Sequence, residues 1–79
     1  DLLLEIRGYA CNLGPAGVNM RLSRRRAERV REYLSGKVNG NVSFRLSWFG
    51  EMYPLSSNSS EAERKLNRRV ELTLKLSGV

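Results

Sequence analysis

Three consecutive arginines, Arg24 to Arg26, lie within the segment NMRLSRRRAERV at residues 19 to 30. A guanidinium offers a planar fork of donors that can grip a carboxylate or phosphate through two parallel hydrogen bonds, so each of the three is a candidate anion ligand. The only cysteine, Cys11, has no second thiol to pair with, and the chain contains no histidine. Neither an intrachain disulfide nor a zinc site of Cys and His ligands can therefore be assembled, and the thiol has no histidine to activate it. There is no nucleophile beside a base and no glycine motif that would cradle a phosphate. An enzyme is not expected, and no cofactor is called for.

The element that carries the arginines separates them. At about 100° per residue, Met20, Leu22, Ala27, Val30, Tyr33 and Leu34 fall in one arc about 160° wide, an amphipathic helix face. Arg21, Arg24, Arg25, Glu28, Arg31 and Glu32 fall outside that arc, and Arg29 lies near its edge. Arg26 falls inside it and points toward the protein body, near the helix N-terminus. A charge turned inward there needs an anionic partner, whether protein carboxylate, loop carbonyl or ligand, because burying it unpaired is costly. The helix is predicted to begin near Asn19, a good N-cap type, and to stop at Ser35-Gly36.

The flanking segments complete the fold. Residues 2 to 7 (LLLEIR) alternate as a half-buried strand ending near Gly8, and residues 8 to 17, with three glycines and Pro15, form a loop. Asn39-Gly40 signals a turn before a second strand at residues 42 to 48, in which Phe44 and Trp48 are expected in the core. Ser60 with Glu63 forms a capping box for a short helix after the polar loop at residues 50 to 60. Residues 68 to 76 make a last strand with Val70, Leu72, Leu74 and Leu76 inward, and Asn67, Arg68 and Arg69 organise its entry. The order is β-α-β-(short helix)-β, an α+β fold in which the helix packs on a small mixed sheet. Its first β-α-β unit is a right-handed parallel crossover.

Composition bounds the partners. A chain of 79 residues is one domain, with 41% hydrophobic and 28% charged residues. A net charge of +6 favours anionic partners. The outward arginines are balanced by Glu28 and Glu32 at helical spacings, and no exposed aromatic row accompanies them, so nucleic acid is not expected. No stretch approaches the roughly 20 apolar residues of a membrane span.

The run N-x-x-L-S-x-x-R-A-x-x-V-x-x-Y-L from Asn19 to Leu34, then G-E-x-x-P from Gly50 to Pro54, Asn58, and N-R-R-V-E from Asn67 to Glu71, resembles the OmpA-like domain. The resemblance covers residues 4 to 76. It implies a module that binds peptidoglycan noncovalently in the Gram-negative envelope, at the periplasmic face of the outer membrane. Family domains carry one more strand and helix ahead of the first strand found here, so the chain is expected to be a fragment of a larger envelope protein. Exposed sheet or apolar surface in such a fragment would favour self-association, and other envelope proteins are further expected partners.

In the family, an aspartate ending the loop after this strand and an arginine of the L-S-x-x-R-A segment hold the diaminopimelate of the stem peptide. The resemblance carries that arginine onto Arg26, a nearby asparagine onto Asn19, and the aspartate position onto Cys11. Asn12 and Leu13 follow it in the loop, and Arg68 is a further candidate contact. A neutral thiol cannot replace a carboxylate as partner to an ammonium. Two outcomes follow: binding through Arg26 and loop groups, with Glu5, Glu51 or the missing N-terminal segment supplying a substitute acid, or an OmpA-like structural or protein-interaction domain that has lost glycan binding.

Overall fold

The computed structural model describes residues 2–38 and 40–76. Five elements follow one another: β1 (Leu2–Gly8), α1 (Ala16–Ser35), β2 (Val42–Trp48), α2 (Glu61–Asn67) and β3 (Val70–Leu76). The sheet order is β2-β1-β3, with β1 parallel to β2 and antiparallel to β3. The parallel pair needs a crossover, and α1 supplies it. The α+β architecture and the mixed sheet expected from the sequence are thus present.

Register puts the apolar strand positions on one face, with Leu3, between Ser43 and Lys75, the exception. Leu4 lies between Phe44 and Leu74, Ile6 between Leu46 and Leu72, and Gly8 between Trp48 and Val70. The helix packs on this face closest at Gly8, where a Cβ would overlap the Ser23 carbonyl oxygen and stand 3.3 Å from the Ala27 Cβ. A side chain at residue 8 would hold α1 off the sheet. The buried apolar core among the described residues is correspondingly small: Ile6, Tyr9, Ala10, Cys11 and Ala27.

Three expectations are corrected. Leu72, Leu74 and Leu76 share the inward face but are exposed, at 50%, 62% and 74%. The reason is lateral: α1 lies over β1 and β2, while β3 is the opposite edge. Phe44 and Trp48 are only half-buried, and Trp48 is roofed by the Arg24 guanidinium, 4.9 Å from its ring centre. The helix begins at Ala16, a turn before Asn19, with Pro15 as N-cap and no side-chain cap. Proline, already fixed in φ, starts the helix, which moves Asn19 from cap to first-turn interior. The turn residue Asn39 lies outside the described residues; its neighbour Gly40 has the positive φ of 92° that the turn signal requires.

The short helix forms as its cap predicts. Ser60 Oγ accepts from the Glu63 backbone N–H at 3.2 Å, and the Glu63 carboxylate accepts from the hydroxyls of Ser57, Ser59 and Ser60. Those hydroxyl bonds hold the Glu63 pKa down to about 2. Asn67, fully buried, closes the loop ahead of α2: its side chain accepts from the Leu55 and Ser56 N–H groups and donates to Ser56 O and Asn58 Oδ1. No described helix is long and apolar enough to cross a membrane.

Candidate functional site

The loop after β1 is locked on both sides. Tyr9 N–H donates to Arg69 O at 2.9 Å and Ala10 N–H to Gly50 O at 2.7 Å, and residues 9 to 11 are buried just beyond the end of β1. Serine at position 23 locks the opposing loop, its hydroxyl accepting from Gly50 N–H at 2.9 Å while donating to Met20 O. The Tyr9 ring stacks on Phe49 at 5.4 Å and lies under the Arg69 guanidinium at 3.8 Å. These contacts satisfy the backbone where the strand ends, which makes it a rigid platform.

Arg26 reaches this platform from α1. It is half-buried, and its Nη1 donates to the Tyr9 carbonyl at 3.2 Å. No carboxylate lies within ion-pair distance of it among the described residues. Burial first, and then the positive charge of Arg68, pull its pKa below the ordinary arginine value, with the Cys11 sulfur opposing them. It stays charged, because an arginine titrates far above neutrality.

Cys11 and Arg68 complete the cluster. The buried Cys11 sulfur accepts from Arg68 Nη1 at 3.6 Å, while Arg68 Nη2 is engaged by the Glu61 carboxylate. That bond to Glu61 is the largest cause raising the Arg68 pKa, and in return it lowers that of Glu61. Two guanidiniums from distant parts of the chain thus flank one thiol, and only one of them has an acid. The acid is Glu61, on α2, which the sequence reasoning overlooked; its place one residue after the Ser60 cap was the available signal.

The other predicted residues divide. Asn19 is buried and its amide donates to Glu51 Oε2 at 2.8 Å and Gly14 O at 3.4 Å, so its donors are committed to loop closure. Asn12 and Leu13 are exposed in the loop between Cys11 and the helix. Glu5 lies on the opposite sheet face, with Lys75 at 3.1 Å and Arg45 at 3.5 Å, and Glu51 is held by Asn19; neither meets Arg26. A shallow hollow of about 220 Å³ on α1, between Val18, Arg21, Leu22 and Arg25, lies apart from this cluster. No group of three potential metal ligands occurs among the described residues.

The arrangement can do one thing chemically: present a half-buried, acid-free guanidinium to an anion beside a rigid loop. The chain is similar to known proteins over most of its length. The OmpA family model matches residues 1–68. Outer membrane porin F of Pseudomonas fluorescens is 35% identical over 71 residues, 90% of this chain and 22% of that protein. Peptidoglycan-binding protein ArfA of Mycobacterium tuberculosis is 34% identical over 74 residues, 94% of this chain and 23% of that protein. Among solved structures, the peptidoglycan-associated lipoprotein from Burkholderia pseudomallei superposes with a TM-score of 0.85 at 28% identity, over 94% of this chain and 63% of that one. The C-terminal domain of Helicobacter pylori MotB gives 0.83 at 27%, over 96% and 59%. The chain spans less than a quarter of the length of these two curated relatives.

Proposed function

Because the chain belongs to the OmpA family, we propose that it is a noncovalent peptidoglycan-binding module of the cell envelope, part of a larger envelope protein, in which Arg26 holds a stem-peptide carboxylate. The observation that carries this reading is the half-buried Arg26 guanidinium, bonded to one loop carbonyl and lacking a carboxylate among the described residues. Its relatives by name include a peptidoglycan-binding protein and a peptidoglycan-associated lipoprotein. The site works by binding and orienting alone, so no catalytic step is assigned to it. The bare leucines of β3 are the surface on which a further segment of the larger protein would pack.

A specific residue favours the rival reading, a structural or protein-interaction domain that no longer binds glycan: Cys11 stands where the family places its ligand aspartate. Chemical-shift titration with a diaminopimelate-containing muropeptide separates the two. Peptidoglycan binding predicts saturable shifts confined to residues 8 to 26 and Arg68, moved to about 10- to 100-fold higher ligand concentration in Arg26→Ala. Silence at millimolar ligand favours the rival.

A further inference from the structure

On the peptidoglycan reading, we infer that the cluster of Arg26, Arg68 and Cys11 selects a carboxylate with no ammonium on the same carbon, and so takes the cross-linked stem peptide in preference to the free one. The sign of the site decides this. Its guanidiniums are Arg26 from α1, with no carboxylate partner among the described residues, and Arg68 from the entry to β3, paired with Glu61, and the side chain beside them at the end of β1 is the buried Cys11 rather than a carboxylate. The acids in reach are already occupied. Glu61 is engaged by Arg68 and lies 3.7 Å from Arg64, Glu51 accepts from Asn19, and Glu71 accepts from Arg69 at 2.8 Å. A zwitterionic ligand end would bring a cation within a few ångströms of the carboxylate that Arg26 holds. That cation would lie beside the Arg26 guanidinium in a partly desolvated corner with no free acid to receive it, since the carboxylate of Glu61 is already taken by Arg68.

Acylating the amine removes the conflict. The nitrogen becomes a neutral amide whose N–H needs only an acceptor, and the Cys11 sulfur is a weak one. In a cross-link the diaminopimelate amine is acylated while its neighbouring carboxylate stays free, which is the combination the cluster fits. A terminal D-alanine carboxylate shares the same chemistry, and the choice of ligands separates the two sources.

The test is calorimetric titration of the whole chain with four synthetic stem peptides. In all four the other carboxyl groups are amidated: a tripeptide whose one free carboxylate neighbours the free side-chain amine of diaminopimelate, the same peptide acetylated on that amine, the acetylated peptide with this last carboxylate also amidated, and a tetrapeptide whose one free carboxylate is that of a terminal D-alanine, its side-chain amine left free. The acetylated tripeptide is expected to bind about tenfold or more tighter than the free one, and amidation to abolish binding. Tight binding of the tetrapeptide would keep the ammonium-free class with D-alanine as its source and overturn the preference for the cross-linked peptide. Cys11→Asp should reverse the preference for acetylation, whereas Cys11→Ser, neutral and close in size, should keep it. Equal or tighter binding of the free tripeptide to the wild-type chain, lost in Arg26→Ala, would overturn the selectivity and leave peptidoglycan binding intact. If none of the four binds at millimolar concentration, both fall.

Discussion

The outer face of the sheet and the corner around Arg26 are both rich in arginine, yet they are built on opposite principles. On the sheet, Glu5 faces Arg45 across the parallel pair and also meets Lys75 and Arg7, while Arg7 donates to Thr73 at 2.7 Å and lies 3.8 Å from Glu71. Each cation has an acid on a neighbouring strand, so the lattice is complete and asks for no ligand. In the corner, the Arg68–Glu61 pair is matched and Arg26 is not. A matched charge stabilises the strands it joins; an unmatched, half-buried one lowers the cost of binding an anion, because part of its desolvation has already occurred on folding. Arginine count alone therefore says little about function, and the position of the acids says much.

The largest effect should come from the residue on which both regions depend. Gly8→Val forces the Ser23 backbone away from β1, and destabilisation of about 3 kcal/mol or more is expected in denaturant unfolding. A near-neutral result would mean that α1 shifts freely on the sheet. Next, Asn67→Ala removes a buried side chain with four hydrogen bonds and leaves the Leu55 and Ser56 N–H groups unpaired, for a loss of about 2 to 4 kcal/mol in the same measurement.

Arg26 and Arg24 give the sharpest form of the contrast. Arg26→Ala should weaken muropeptide binding about 10- to 100-fold, the value of one charge-assisted hydrogen-bonded pair, while changing stability by less than about 1 kcal/mol. Arg24→Ala, which removes an exposed pair with Glu28 and the cover over Trp48, should leave binding unchanged and cost about 0.5 kcal/mol in a thermal melt. Equal binding losses in the two variants would reduce Arg26 to a general electrostatic contributor.

Acid titration gives a smaller signal with a definite sign. Glu63 has a folded pKa of about 2 against 4.5 unfolded, so its contribution is fully present above pH 4.5 and lost as pH falls toward 2. Glu63→Gln should lower stability at neutral pH and flatten that acid limb of the stability curve. Smallest of all, Glu5→Gln should lower the melting temperature at low salt and converge with wild type at high salt, since the pairs it removes are exposed enough to be screened. Binding should not respond to it.

Much of this was legible in local pattern. The strand at residues 42 to 48, the Ser60 cap and the end of α1 at Ser35 follow from alternation, capping chemistry and a Gly36 stop, all of which are near-neighbour effects. The inward turn of Arg26 follows from helical periodicity alone. What periodicity could not supply was lateral position. Leu72, Leu74 and Leu76 alternate as cleanly as any buried strand, but burial needs a partner overhead, and α1 lies mainly over β1 and β2 and covers little of the third strand. Asn19 shows the same limit: a residue type suited to capping lies inside the helix because Pro15 starts it earlier, and its amide is used to hold Glu51.

The amino-acid sequence by itself determined the elements, their order, the apolar face of each strand and the arginine that turns inward, because those depend on residue types a few positions apart. Only the tertiary structure decided which acids meet which arginines. Residues 11, 26, 61 and 68 are brought together by the crossover of α1 and the return of β3 along β1. Charge pairing acts over a few ångströms of space whatever the separation along the chain, so the acid withheld from Arg26 and the one given to Arg68 became visible only in the folded molecule.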